Sequence, residues 1–381
     1  MLHLRIAYCN VYRSYLLLFL LCQLLGGLAF ASELLFIGSY NGRETLPGIF
    51  VFDLDTANGQ LTKICSVANV LNPAYIALSA SGNTIYACTE ARVPGGGKLR
   101  SYKYENRALS LLSEVSSEGE NPVYLTTTAD EQYLFTANYT GSTVAAFPLH
   151  NGTISKATQV LMFVDSSINA ERQECAHPHA VVLSPDGRYL YAPDLGADKI
   201  RCFSVDTALE QPMRPVVKSG KVVTAGSGPR HLVFSPNSSY AYCTEEMAGA
   251  VGVYRVGEGG SLDSCQRIMI HKRRKGGQFS AAEIHLSPDS RFLYAANRGK
   301  ENNIAIMAID QATGKVEVVG YCPVHGDHPR SFAIDPSGKF LLVANQVSGN
   351  VVVFRRNVNT GLLSYTGIKI KIPGASCVRF N

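Results

Sequence analysis

One phrase recurs along this chain: ECAHPHAVVLSPDGRYLYAPD at 174–194, AGSGPRHLVFSPNSSYAYCTE at 225–245, FSAAEIHLSPDSRFLYAAN at 279–297 and GDHPRSFAIDPSGKFLLVAN at 326–345. Fainter copies read NPAYIALSASGNTIYACTE at 72–90 and NPVYLTTTADEQYLFTANY at 121–139, and a shortened one, PGASCVRFN, occupies 373–381. Self-similarity at such a period states an architecture first, because each copy is one supersecondary unit that must bury its apolar face against the next. Taking the Pro of the phrase, or the residue in its place, as marker gives Pro73, Pro122, Pro178, Pro229, Ala281, Pro329 and Ala375, at steps of 49, 56, 51, 52, 48 and 46 residues.

Within each copy an alternating apolar run leads into a turn of the Pro-Asp-Gly or Pro-Ser-Gly kind and then into a second, aromatic-rich run such as Arg188-Tyr189-Leu190-Tyr191-Ala192, which is a β-hairpin signature. Two further short β-rich runs follow, as at Ile49–Asp53 and Gln60–Ile64, joined by Asp-x-x-x-Gly turns at Asp55–Gly59 and Asp310–Gly314. Four antiparallel strands per unit of about fifty residues describe a propeller blade, so the chain is expected to be an all-β, seven-bladed β-propeller. The last copy supplies one strand, and Leu34–Tyr40 reads as a second strand without a first. One blade is therefore predicted to be closed by both terminal segments, which leaves no open sheet edge between first and last blades.

A propeller needs similar small or apolar residues in every blade, so a copy that departs towards charge is informative. Directly after the marker stand Ala74, Val123, His179, Arg230, Ala282 and Arg330; at the end of the second strand stand Glu90, Tyr139, Leu195, Glu246, Arg298 and Gln346. The first column opens strand one and the second ends its antiparallel neighbour, so both fall at one end of every blade. With first strands innermost, His179, Arg230, Glu246, Arg298, Arg330 and Glu90 would ring one mouth of the central channel. Arginines facing one cavity hold carboxylates or phosphates and stabilise a developing oxyanion, and a His and a Glu beside them can activate water. The alternative reading of the same columns is inter-blade ion pairing alone.

Composition narrows the class further. The formal net charge of +5 includes Arg5 and Arg13 near the start, and without them it falls to +3, so neither nucleic acid nor a membrane surface is implied as partner. Residues 1–31 combine those arginines with an apolar stretch from Tyr15 to Leu28 and Ala29-Phe30-Ala31, which reads as a cleavable signal peptide ahead of one propeller domain at 32–381. The expectation is export to the periplasm or outside the cell with no lasting membrane partner, an uncleaved membrane anchor being the alternative. Eight cysteines follow residue 31, with no Cys-x-x-Cys among them, and Cys88 and Cys243 fall at equivalent strand positions, so buried free thiols are expected.

Other conspicuous residues read more plainly. His177 and His179 lack a recognisable third ligand, so no metal site is expected. His231 and His285 lie inside first strands and read as structural histidines. Arg273-Arg274-Lys275 reads as a solvated loop, Gly95-Gly96-Gly97 as a flexible turn, and Asn138, Asn151 and Asn237 begin glycosylation sequons.

Across 34–381, and most specifically in HPHAVVLSPDGRYLYAPDLGADKI, GSGPRHLVFSPN, AYCTEEM, AAEIHLSPDSRFLYAANRG and HPRSFAIDPSGKFLLVANQVSGNVVVFRR, the chain resembles the lactonase family of seven-bladed propellers, which contains 6-phosphogluconolactonases and fungal carboxymuconate lactonizing enzymes. The resemblance implies hydrolysis of a sugar-acid lactone, phosphorylated or not, without metal or organic cofactor. It places a catalytic set at His179, Arg230, Glu246 and Arg298, with Arg330, His177 and Glu90 as substrate-binding neighbours. Muconate-type cycloisomerization is the alternative chemistry, and a propeller that only binds a protein or glycan is the non-enzymatic one. Where that family usually has Asn-Glu this chain has Glu245-Glu246, so a second carboxylate is expected near the site. An exported enzyme would also be separated from 6-phosphogluconolactone, a cytoplasmic intermediate.

Overall fold

The computed structural model describes residues 32–89, 96–216, 219–272 and 278–381. The leader at 1–31, Glu90, Gly95 and the Arg273–Lys275 run lie outside the described residues. Seven antiparallel sheets form, one per repeat, and they are numbered here as blades 1–7 from the copy at Pro73. Blade 4 shows the pattern: Pro229–Phe234, Tyr240–Glu245, Ala250–Val256 and Leu262–Met269 pair in sequence order. Blade 7 takes its inner strand from Ala375–Phe380 and the other three from Ser32–Ser39, Ile49–Asp55 and Leu61–Val67, as the repeat predicts. Its register runs Leu35 with Phe380, Ile37 with Val378 and Gly38 with Cys377. Ser376 Oγ, in addition, donates to the Pro73 carbonyl of blade 1 at 2.7 Å.

The phrase itself explains the hairpins. Ser184 Oγ donates to Asp186 Oδ1 at 2.6 Å and accepts from the Tyr189 amide at 3.0 Å, while Asp186 Oδ1 also accepts from the Arg188 amide at 3.1 Å. Ser287 and Asp289 repeat this in blade 5. Side-chain acceptors thus satisfy the amides of a turn that would otherwise leave them unpaired. The Asp-x-x-x-Gly turns work similarly, with the Ala57 amide on Asp55 Oδ1 (2.8 Å) and the Ala312 amide on Asp310 Oδ1 (2.9 Å).

Adjacent blades meet on their apolar faces. Between blades 4 and 5, Tyr242, Val251 and Val253 pack with Ile284, Leu293, Ala295 and Met307, all fully or almost fully buried. Each of the larger aliphatic side chains among them contributes about 1.5–3 kcal/mol by leaving water. The recurring second-strand tyrosine adds a polar clamp to the next blade: Tyr191 Oη donates to the Gly260 carbonyl (2.7 Å), Tyr242 to Gly314 (3.1 Å) and Tyr294 to Gly361 (2.7 Å). Gly314 has φ +67° and no room for a Cβ against the Tyr240 ring, so turn and clamp select the same residue.

Two blades depart from four continuous strands. The outer strand of blade 2 is split into Thr153–Ile154 and Gln159–Met162, and that of blade 3 into Met213–Pro215 and Lys221–Val222. Blade 3's inner strand is shortened to Val182–Leu183, with a lone bridge from Pro178 to Asp194. Pro178 has no N–H to give, although the His179 amide still donates to the Pro193 carbonyl at 2.8 Å. The eight cysteines of the described residues are unpaired; Cys88, Cys202, Cys243, Cys322 and Cys377 are buried, whereas Cys65, Cys175 and Cys265 are half-buried. Asn138, by contrast, is fully buried, its amide donating to the Ser117 carbonyl and Thr143 Oγ1, so its sequon is closed to a glycan. No helix of the described residues is long and apolar enough to cross a membrane.

Candidate active site

One backbone hydrogen bond, repeated blade after blade, builds the mouth. The second-column residue donates its N–H to the carbonyl of the residue before the marker: Tyr139 to Asn121, Leu195 to His177, Glu246 to Gly228, Arg298 to Ser280 and Gln346 to His328, at 2.7–3.0 Å. Both columns are therefore held at one end of each blade, with a third column, the pre-marker residue, locked beside them. Asn121, Gly228 and His328 adopt positive φ (59°, 64° and 62°), which turns the chain back into the inner strand.

These positions surround a cavity of roughly 570 Å³ lined by His177, His179, Glu246, Arg298 and Arg330, joined by Tyr139, Arg172, Glu174, Ser280, His328 and Gln346 among others. Such a volume suits one small ligand. Four of the five predicted residues of the His179, Arg230, Glu246, Arg298 and Arg330 set face it directly. Arg230 is the exception: it is 1% exposed and does not line the cavity, meeting Glu246 with Nε 3.0 Å from Oε2. The rim position expected for it is corrected to a buried support, its side chain enclosed by protein and held against Glu246.

Glu246 is the electrostatic centre. Its Oε2 lies 3.0 Å from Arg230 Nε and 2.8 Å from Arg298 Nη2, and its Oε1 accepts from Arg172 Nη2 at 2.9 Å. Burial alone would favour the protonated acid, but Arg298, then Arg230 and Arg172, hold its pKa far below the usual carboxylate range. Burial and then the neighbouring Arg298 pull the Arg230 pKa down, against the lift from Glu246. His179 is 6% exposed, and burial followed by the charge of Arg230 pushes its pKa well below the ordinary 6.5, so it is neutral at physiological pH. His328 is pushed down to about 4 by burial and then by Arg298 and Arg330.

His177 and His179 do not act as a pair. His177 stacks on Tyr139 (ring centroids 4.3 Å apart), with Nδ1 2.9 Å from the Tyr139 carbonyl and Nε2 3.1 Å from Glu174 Oε1, whereas the His179 ring lies 5.2 Å from that of His231. Glu174, Cys175 and His177 form one group among the described residues whose donor atoms could converge on a metal ion, a grouping that the His-Pro-His run does not signal. Glu174 is exposed and its carboxylate already engages the imidazole, which accounts for the grouping without an ion.

Two buried aspartates of the Asp-Leu-Gly-Ala-Asp run hold the loops. Asp194 Oδ1 accepts from the His177 and Ala197 amides at 2.7 and 3.0 Å, and Asp198 accepts from the Gly226 and Gly228 amides at 2.6 and 2.7 Å. Glu245, expected to add a carboxylate near the site, instead accepts from Arg267 Nε at 2.7 Å on the outer strand of its own blade and does not line the cavity. Adjacent residues on a strand project to opposite faces, which separates it from Glu246.

The arrangement is a small polar cavity with fixed cations, an anchored carboxylate and a neutral imidazole. The family model described as Lactonase, 7-bladed beta-propeller, matches residues 34–380. The chain belongs to that family. Among its relatives, the 6-phosphogluconolactonase of Formosa agariphila is 35% identical over 349 residues, covering 91% of this chain and 98% of that protein. The 6-phosphogluconolactonase of Bacillus subtilis is 29% identical over 350 residues, 91% and 97% of the two chains. The solved structure of the periplasmic gluconolactonase of Pseudomonas aeruginosa matches this lactonase-family propeller with a TM-score of 0.87 at 33% identity, over 92% of this chain and 99% of that one.

Proposed function

We propose that this protein is an exported lactonase that hydrolyses a sugar-acid lactone, with an unphosphorylated aldonolactone of the glucono type as its substrate. The observation that carries the reading is the meeting of Glu246 with Arg298, Arg230 and Arg172 in the cavity that also holds neutral His179. Family membership and the names of the relatives support lactone chemistry. The leader-like segment at 1–31, together with the periplasmic neighbour, supports export and, through it, a substrate found outside the cytoplasm.

Glu246 is too strongly stabilised as the anion to serve as base, so its work is to hold Arg298 and Arg172 in place. His179 has an imidazole ready to accept a proton, and an anionic transition state would raise its basicity by offsetting the nearby arginines. Water attacks the lactone carbonyl as His179 takes its proton; the new C–O bond forms, and negative charge gathers on the carbonyl oxygen. Arg298 and Arg330 face the cavity and stabilise that oxyanion. The ring C–O bond then breaks, and the proton passes from His179 to the departing alkoxide, giving the open hydroxy acid.

The test is pH-stat hydrolysis of glucono-lactone and of 6-phosphogluconolactone by the protein lacking residues 1–31, beside His179→Ala and Arg298→Ala. Turnover of glucono-lactone above the spontaneous rate, lost in both variants, is expected. Preference for the phosphorylated lactone would overturn the substrate assignment, and full activity of both variants would overturn the site.

A further inference from the structure

Below the cavity the channel holds a second polar cluster that the scheme above leaves unused. His231, on the inner strand of blade 4, has Nδ1 2.8 Å from Glu283 Oε1 on the inner strand of blade 5, and the two residues are 4% and 2% exposed. Glu283 is fixed in turn by Ser331 Oγ, 3.1 Å from Oε2, and by Arg379 Nη2 at 3.6 Å, with His285 Nε2 3.7 Å from Oε1. Burial would favour its acid form, but the hydrogen bond from His231 and the charge of Arg379 hold its pKa well below the carboxylate range.

An ionised carboxylate only accepts hydrogen bonds, so His231 must carry its proton on Nδ1. Burial, then Arg230, keeps that ring neutral, with a pKa pushed down to about 3 against the lift from Glu283. Its Nε2 is then a bare acceptor, and it is buried with no protein partner. Beside it, at 5.2 Å between ring centroids, stands His179, whose Nδ1 is likewise buried without a partner. Around the two rings stand also Arg230, Arg330 and Arg379, with Tyr139 edge-on to His179 and Tyr124 and Tyr75 edge-on to His231.

We propose that His231 is a positioning residue: the Glu283–His231 pair accepts a hydrogen bond from His179 Nδ1–H, directly or through one water, and so presents a bare His179 Nε2 to the cavity. In an imidazole the hydrogen bond at one nitrogen sets which nitrogen is free. No net proton transfer is involved, because Glu283 and His231 keep their protonation states while His179 Nε2 takes and returns the proton of water. The use made of that nitrogen rests on the lactonase reading above; the tautomer itself does not.

The experiment is histidine-selective ¹⁵N NMR of the intact protein at neutral pH, with the nine histidines simplified by assigning His179 through the loss of its signals in His179→Gln. Both His179 and His231 are expected to carry their protons on Nδ1. His231→Phe keeps a ring against Tyr124 but removes the acceptor. It should move His179 towards the Nε2–H form and lower kcat on the lactone roughly 10- to 100-fold, with KM changed less than about threefold. His231→Gln offers an amide oxygen instead and should recover most of kcat. A wild-type His179 protonated on Nε2 would overturn the proposal, as would His231→Phe with the wild-type tautomer and kcat. If the wild type opens no lactone, the functional reading fails while the NMR still decides the tautomer, and it decides it also if His231→Phe does not fold.

Discussion

Acid should loosen this propeller well before its carboxylates titrate. His231 and His285 are buried in the channel with pKa values pushed down to about 3 and about 4, by burial first, against an ordinary value of 6.5. Between those limits the unfolded chain binds protons that the folded chain refuses, so stability is fully present above pH 6.5 and is lost as pH falls through 6.5 towards 4 and 3. At pH 5 the gap from 6.5 is about 1.5 pKa units, which at about 1.36 kcal/mol per unit comes to about 2 kcal/mol for each ring and about 4 kcal/mol for both. That is a large part of the roughly 5–15 kcal/mol by which a protein is stable. His179 adds to the loss with the same sign. The chain has no Trp, so urea unfolding is best followed by far-ultraviolet circular dichroism at pH 7.5 and 5.0 and equal ionic strength. The unfolding midpoint should drop clearly at pH 5.0, and His285→Gln should remove its own share, about 2 kcal/mol, of the difference. Equal free energies of unfolding at the two pH values, within about 1 kcal/mol, would refute the reasoning.

Three other outcomes follow from named contacts. Glu246→Gln leaves Arg230 and Arg298 without their buried counter-charge and should cost about 3–5 kcal/mol in denaturant unfolding, along with most of kcat; a variant of wild-type stability would contradict the ion-pair geometry. Gly196→Ala would place a Cβ 1.9 Å from the Cys175 carbonyl and 2.8 Å from His177 Cδ2. It should cost about 1–3 kcal/mol through overpacking and raise KM by shifting the His-Pro-His loop, to be read from thermal unfolding and steady-state kinetics. Because the eight described cysteines are unpaired, a thiol reductant should leave Tm unchanged, and a fall of several degrees would reveal a disulfide.

Much of this was legible because the repeat acts as a ruler. Blade number, the closing strand and the charged departures at His179, Glu246, Arg298 and Arg330 all follow from aligning copies. Arg172 sits outside the aligned phrase, in the segment behind the longest step, 56 residues, and Glu174, which opens the copy at 174–194, stands ahead of the two charged columns, so neither carries a signal in the alignment. His328 and Ser280 stand in the pre-marker column, which carried no common residue type and so no signal. Depth was harder still: Arg230 and Arg330 occupy equivalent positions, yet one is sealed and the other half-buried, a difference set by neighbouring blades. Glu245 and Glu246 are told apart only by the alternation of faces along a strand.

The seam of blade 7 joins residues more than three hundred positions apart, as in the pairing of Leu35 with Phe380. Such distant pairing slows folding far more than it weakens the folded state, since loop-closure entropy grows only with the logarithm of length. The cavity takes its side chains from blades 2 to 6, so no arc of the ring holds a working subset. Catalytic competence is therefore a late, all-or-none acquisition, and the lifetime of activity under denaturing stress becomes a clock for the opening of the whole ring.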